Sequence, residues 1–544
     1  VESAPVINSA SAILVLLTAV TVFAIASRRL PIPYPTVMVL AGALLGWIPE
    51  LPKVQFESES VLLIFLPPLL YAAAWQTSWR DFRANLRPIG MLAIGLVIAT
   101  TVAVAFAAHA VIEDIPWGLA FALGALVAPP DAIAAIAVTQ RTPLPRRIIT
   151  ILEGESLVND ATGLVLYRVA LAAALSGGFS VATAGVQLLL SPLLGVGIGV
   201  AVGWIAVRIH RRLDDATLES AITLLTPFAA YVPAEALHVS GVLAVVSAGM
   251  LVSHSASSIF SSNTRLNATA VWNVVVFLLN GLAFILIGQQ IPSALAAVYD
   301  YSPNEAWVLV LVVCVAVILV RIAWVFPAAY IPRLLSRSLR ERDPAPPANY
   351  LIVISWAGMR GVVTVAAALA LPKFQPDGTH VPYRELLVIA AFAVVFVTLI
   401  VQGQTLPALI RWLKIEPHEE ETLCADALAR REILAATISF LDGASARDDV
   451  DPAMIKQFRE RFEQLLDTTL PIDENCELDT DAAARADALT RLHRDILGVQ
   501  RQILDHLDRR GELPLEVFRR IERLLDLEET HIAEIRPGSQ ADGV

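Results

Sequence analysis

The sequence predicts an all-α polytopic membrane protein of thirteen transmembrane helices, followed by a helical tail. Three observations lead there. Of 544 residues, 56% are hydrophobic and 17% are charged, against about 25% charged in soluble domains. Thirteen apolar runs approach the roughly 20 residues that a helix needs to cross a bilayer, and the loops between them are short. Charge is also segregated. Residues 415–544 hold 30 acids and 16 bases, a balance of −14, whereas residues 1–414 carry +3. The expected division is therefore a transmembrane domain over 1–414 and an acidic helical domain over 415–544.

The runs fall near 8–27, 34–49, 60–76, 88–111, 117–139, 148–174, 184–207, 217–235, 238–254, 269–290, 305–328, 349–370 and 385–410; they are called spans 1 to 13 below. The first follows Glu2 with no basic segment before it, which argues against a cleaved signal peptide. One set of loops holds sixteen arginines: Arg28 and Arg29, Arg80, Arg83 and Arg87, Arg141, Arg146 and Arg147, Arg208, Arg211 and Arg212, Arg265, and Arg333, Arg337, Arg340 and Arg342. The opposite loops hold Lys53, Lys373 and Arg384. Basic loops stay in the cytoplasm, so the N-terminus is expected outside and the tail inside.

Because span 7 makes the count odd, spans 1–6 and 8–13 have opposite topology and are read as two inverted six-helix repeats, an arrangement common in secondary transporters. Spans 5 and 12, each fifth in its half, carry helix interruptions. Span 5 reads Ala128-Pro129-Pro130-Asp131 and span 12 reads Gly358-Met359-Arg360-Gly361. Proline removes a backbone donor and breaks a helix. At membrane depth such a break is tolerated only where it is buried in protein or lines a cavity. The two are expected to cross.

The tail shows helical periodicity near 424–441, 453–468, 482–509 and 515–535, punctuated by Gly443, Pro452, Pro471 and Gly511–Pro514. It carries no nucleotide- or metal-binding motif, and a role in folding or dimerisation is as acceptable as regulation. Cys314, Cys424 and Cys476 are scattered without ligand spacing and are read as unpaired thiols in a reducing interior.

An ionisable group inside a membrane costs roughly 2.5–3.5 kcal/mol on insertion scales and suggests function. Asp160 lies near the middle of span 6, with Asp131 and Arg360 at similar depth on the interrupted spans and Arg321 past the middle of span 11. Glu153, Glu219 and Glu235 lie near span ends, where snorkelling is the better reading. Arg168 is assigned to a lipid interface or the tail of a cavity. Span 6 reads Glu153-Gly154-Glu155-Ser156-Leu157-Val158-Asn159-Asp160. Ser156 and Asp160 are four apart and share a face, while Glu155 and Asn159 share the neighbouring stripe. A carboxylate, a hydroxyl and an amide make a hard-oxygen site suited to a small alkali cation, to which span 5 can add freed carbonyls and Asp131. Asp160 is neutral with either a proton or a monovalent cation, and burial penalises the bare anion. That rule alone couples the two ions. Glu155 needs a countercharge, for which Arg321 is the candidate; Arg360 is placed to neutralise helix ends at the crossing.

The same stretch resembles the signature of the monovalent cation/proton antiporters of NhaP and sodium/proton exchanger type. Phe65-Leu66-Pro67-Pro68-Leu69-Leu70, Leu279-Asn280-Gly281-Leu282-Ala283-Phe284-Ile285-Leu286-Ile287-Gly288, Gly358-Met359-Arg360-Gly361 and Val401-Gln402-Gly403 agree with it, in order. The resemblance implies thirteen helices, a homodimer in a bacterial plasma membrane, and a core domain moving against a dimerisation domain by alternating access. It implies Asp160 as the cation and proton site, with Ser156 and Asn159 beside it and Glu155 paired to Arg321. The Asn-Asp pair implies electroneutral exchange of sodium, with lithium or potassium as alternatives. A transporter of this kind is no enzyme and needs no cofactor or nucleic acid. Two departures stand out. Relatives often read Thr-Asp-Pro where this chain has Pro129-Pro130-Asp131, and Ala72 and Ala73 occupy positions where some members carry an acid after the Pro-Pro motif.

Three other classes fit less well. An ion channel would need a continuous pore lined by repeated charges or carbonyls. A carrier of organic solutes would gather aromatic contacts about its site. A membrane sensor finds support only in the tail.

Overall fold

The computed structural model describes residues 4–30, 32–48, 58–139, 144–176, 181–292, 303–375, 378–415, 419–444, 451–468, 480–510 and 515–535. Glu2, Lys53, Arg141, Pro471, Cys476 and Gly511–Pro514 lie outside the described residues. The chain divides into two compact units, Val1–Pro417 and His418–Val544.

In the first unit the helices are α1 (Ala4–Arg29), α2 (Tyr34–Gly46), α3 (Ser58–Gln76), α4 (Trp79–Ala84), α5 (Leu86–Gly90), α6 (Val97–Val111), α7 (Trp117–Val127), α8 (Ala132–Thr139), α9 (Arg146–Ser176), α10 (Val181–His210), α11 (Ala216–Ala236), α12 (Gly241–Ile259) and α13 (Ser262–Gln289). There follow α14 (Pro303–Leu335), α15 (Arg337–Arg342), α16 (Ala348–Trp356), α17 (Val362–Leu369), α18 (Arg384–Val397) and α19 (Gly403–Trp412). Among the described residues, eight helical segments are long and apolar enough to cross a membrane. Tyr34–Gly46 and Leu62–Gln76 are apolar but shorter, and span 12 is cut into α16 and α17.

The interruptions fall where the sequence places them. Pro129 and Pro130 stand between α7 and α8, and Gly358 and Gly361 between α16 and α17. Pro67 and Pro68, by contrast, sit inside α3 without ending it. Two wide turns of π-helix, Met91–Leu96 and Thr398–Gln402, interrupt the α-helical ladder; such turns free backbone groups and recur at functional sites.

Packing sorts the helices into two groups. In one, α10, α11 and α12 pack together, α3 lies on α12, and α1, α2 and α13 pack on one another. In the other, α6 and α9 flank α7, α14 packs on α6, α16 and α18, and α17 packs on α18. These correspond to spans 1–3 with 7–10, and spans 4–6 with 11–13. The second group holds a core of small and branched residues such as Ala120, Leu123, Val313, Leu387 and Ala390.

The second unit contains α20 (Glu419–Ala444), α21 (Pro452–Thr468), α22 (Thr480–Arg509) and α23 (Leu515–Ile535). Leu497, Leu504 and Leu525 form a small core between α22 and α23, and Arg501 on α22 bonds Asp526 on α23 at 2.6 Å. Cys314 is a free, buried thiol, but Cys424 is disulfide-bonded. That corrects the reading of all three cysteines as unpaired: spacing along the chain says nothing of which thiols the helices bring together.

Candidate functional site

The site is built where the two interruptions touch. The amide of Asp131 donates to the carbonyl of Met359 at 2.7 Å, joining the breaks back to back. Arg360 lies fully buried across them. Its Nε donates to Val127 O at 2.9 Å and its Nη2 to Ala128 O at 3.3 Å, the carbonyls left open at the end of α7. A third contact closes on Gly358 O, and its own amide donates to Thr398 Oγ1 at 3.1 Å within the second π turn. A helix C-terminus is electronegative, so a guanidinium with five donors satisfies both its charge and its orphan acceptors. The glycines are required by space: a Cβ at Gly361 would overlap the Asp131 carboxylate, and one at Gly358 would overlap Arg321.

Glu155 and Arg321 are 1% and 0% exposed and form a two-pronged pair, with Nη1 to Oε1 at 2.5 Å and Nη2 to Oε2 at 2.9 Å. Arg321 Nε donates to Ile354 O at 3.0 Å, near the end of α16. Asp131 also caps α8, its Oδ1 accepting from the Ile133 amide at 2.8 Å. Ser156 Oγ accepts weakly from the Ala132 amide at 3.4 Å.

A cavity of about 700 Å³ reaches this crossing. It runs between the two helix groups, from Asp160, Ser156 and Asp131 out to Ser27 and Arg28 at the end of α1 and Gln76 at the end of α3. Asp160 is 6% exposed and makes no hydrogen bond among the described residues, so its carboxylate is open to the cavity.

Of the residues named from sequence, Asp160, Ser156 and Asp131 thus line one space. Asn159 does not. It is fully buried and donates through Nδ2 to Pro130 O at 2.8 Å, while its Oδ1 has no partner. It braces the helix break from behind the site. Glu153 faces the same cavity. Glu219 departs from the snorkelling expectation, for it is buried at 1% exposure. Arg168 and Glu235 bond each other at 2.5 Å, with both side chains partly exposed.

Sequence reasoning missed Asn273 and Asn280, seven apart on α13, which line the cavity from the opposite group. Asn280 stood in a quoted motif, and the spacing, which puts both on one helix face, was the available signal. It also missed Gln402, buried in the second π turn with both side-chain amide atoms unpartnered.

Asp343 was missed too. It binds Arg87 at 2.8 Å, Arg147 at 2.8 Å and Arg333 at 2.8 Å. Burial works against its charge, but the hydrogen bond from Arg147 and the charges of Arg147, Arg333 and Arg87 outweigh it and hold its carboxyl below the usual carboxylate range.

Comparison with known proteins places this geometry. The family described as "Sodium/hydrogen exchanger, transmembrane" matches residues 13–412. The chain is 35% identical to an uncharacterised Na(+)/H(+) exchanger of Mycobacterium tuberculosis, over 96% of both chains. It is 32% identical to a sodium, potassium, lithium and rubidium/H(+) antiporter of Bacillus subtilis, over 83% of this chain and 69% of that one. The fold is that of the sodium proton antiporter MjNhaP1 from Methanocaldococcus jannaschii, with a TM-score of 0.58 at 17% identity, covering 73% of this chain and 99% of the other. A match across nearly three quarters of the chain, joined to broken helices that meet beside a buried carboxylate, establishes that the chain belongs to the sodium/hydrogen exchanger family of monovalent cation/proton antiporters.

Proposed function

We propose that this chain exchanges sodium for protons across a bacterial plasma membrane, electroneutrally and by alternating access, with both ions competing for Asp160. The observation that carries the reading is a buried carboxylate, without a hydrogen-bond partner among the described residues, lining a cavity between two helix groups. Lithium and potassium are the alternative cargoes; the potassium alternative draws on the Bacillus subtilis relative's name.

In this reading Asp160 binds the dehydrated cation or the proton, and Ser156 supplies a hydroxyl oxygen. Asp131 contributes through the cavity, and Asn159 acts by holding the Pro130 carbonyl in place. Either loaded form of Asp160 is neutral, so the group bearing it slides past the other only when loaded, since a bare anion in a low-dielectric setting is strongly disfavoured. Glu155 and Arg321 serve as a structural pair, and Arg360 neutralises the helix ends. The thirteen spans form two inverted repeats, the protein works as a homodimer in pH homeostasis, its N-terminus lies outside, and residues 415–544 form a cytoplasmic domain that tunes activity.

Proteoliposomes holding a pH gradient test this. Addition of sodium should dissipate the gradient in the wild type, independently of membrane potential, and Asp160→Asn should abolish the response while eluting as folded protein. Full activity in that variant would remove Asp160 from the mechanism.

A further inference from the structure

Arg87, Arg147 and Arg333 converge from three separate parts of the chain on one carboxylate, that of Asp343. Arg87 lies at the start of the candidate span Leu86–Val111, Arg147 at the start of Arg146–Leu175, and Arg333 at the end of Asn304–Leu335. All three therefore stand at the same membrane boundary. One aspartate offsets one of three positive charges. Asp81 pairs with Arg146 and Glu341 with Arg337. Among the described residues no second carboxylate pairs with the three arginines.

Their donors are unequally used. Arg333 spends its Nε on Asp343 O, its Nη1 on Ala329 O and its Nη2 on the Asp343 carboxylate. Arg87 spends only Nη2, and its Nη1 is buried with no acceptor. Arg147 likewise gives one Nη2 to Asp343, with its side chain 43% exposed. The three arginines border a small cavity of about 50 Å³ whose other walls are apolar, including Leu92, Ile148, Ile151, Val325 and Ile354. Ile151 lies one turn before Glu155, Val325 one turn after Arg321, and the Ile354 carbonyl holds Arg321.

We propose that this cluster is a binding site for a phosphate group, whose oxygens take the open donors of Arg87 and Arg147. Excess guanidinium charge with free forked donors suits an anion of several oxygens. The position, a basic cluster between spans at the membrane surface, is where phospholipid headgroups lie. A soluble organophosphate offers the same oxygens. Occupancy would brace the start of α9 and the end of α14, the two helices that carry Glu155 and Arg321.

The test uses the full chain purified in a neutral detergent, read by native mass spectrometry and by its unfolding midpoint. Dioleoylphosphatidylglycerol, dioleoylphosphatidylcholine, glycerol 3-phosphate and inorganic phosphate are added separately. The wild type should bind one of the anions in preference to the zwitterionic lipid, and Arg87→Gln/Arg147→Gln should weaken that binding by about tenfold. If only phosphatidylglycerol acts, the source is the membrane; if the soluble phosphates act as well, it is a free anion. Should the double variant fail to fold, Arg147→Gln alone takes its place. Anion binding that is unchanged in the variants, or no preference for any anion, overturns the proposal. Neither readout depends on ion exchange.

Discussion

Glu155 and Arg321 are sealed from water and from the cavity, and their two hydrogen bonds leave neither a free prong. Breaking one side of a buried pair strands the other charge, at about 3–5 kcal/mol. Glu155→Ala is therefore expected to lower the unfolding temperature sharply and change cation affinity less. Glu155→Leu with Arg321→Met should regain much of the loss. An unchanged unfolding temperature with weakened cation affinity would instead put Glu155 in the transport path. Asp343 gives a different expectation. Its carboxyl is held below its ordinary value of 3.8, so its contribution is complete above that pH and is lost only as pH falls through the still lower folded value. Asp343→Asn should then lower the unfolding temperature by the same amount at pH 6 and pH 8; a difference between them would overturn that assignment. At this scale the sequence was readable where charge stood inside an apolar run, as at Asp160, Glu155, Arg321 and Arg360. It was unreadable where charge sat at run ends, as at Glu219 and Asp343, because depth along a helix does not tell which neighbours surround it.

The interrupted elements were legible for a backbone reason. Proline and glycine are visible in sequence, and a membrane forbids an unsatisfied break. What sequence withheld was the manner of satisfaction, an amide-to-carbonyl bond between Asp131 and Met359 with Arg360 laid over both. The displaced aspartate of Pro129-Pro130-Asp131 is the residue for which Gly361 leaves room. Gly361→Ala should force the breaks apart, costing about 1–3 kcal/mol as overpacking does, and should lower exchange well beyond its effect on the unfolding temperature. Normal exchange in that variant would mean that the crossing tolerates rearrangement. The π turns, in contrast, had no sequence signal. Thr398 and Gln402 sit in an apolar run that a plain α-helix would fit equally well.

On the scale of the molecule, apolar run length and charge segregation carried the architecture, since both follow directly from the solvent each part meets. The sorting of helices into two groups was not carried by either, because lipid-facing and protein-facing apolar residues look alike in sequence. The tail is a separate compact unit. Removing residues 418–544 should leave exchange intact and shift its pH profile, measured in the same proteoliposomes; loss of all folded protein would make the tail structural. The arginine across the breaks also bears on how the chain is made. The carbonyls of Val127 and Ala128 wait for a partner 233 and 232 residues downstream, and the Asp131 amide waits almost as long for Met359. While the ribosome is still working on the second half, the first half sits in the bilayer with an open end of α7 that no local residue closes. The end of α7 can therefore be closed in this way only once synthesis has passed residue 360.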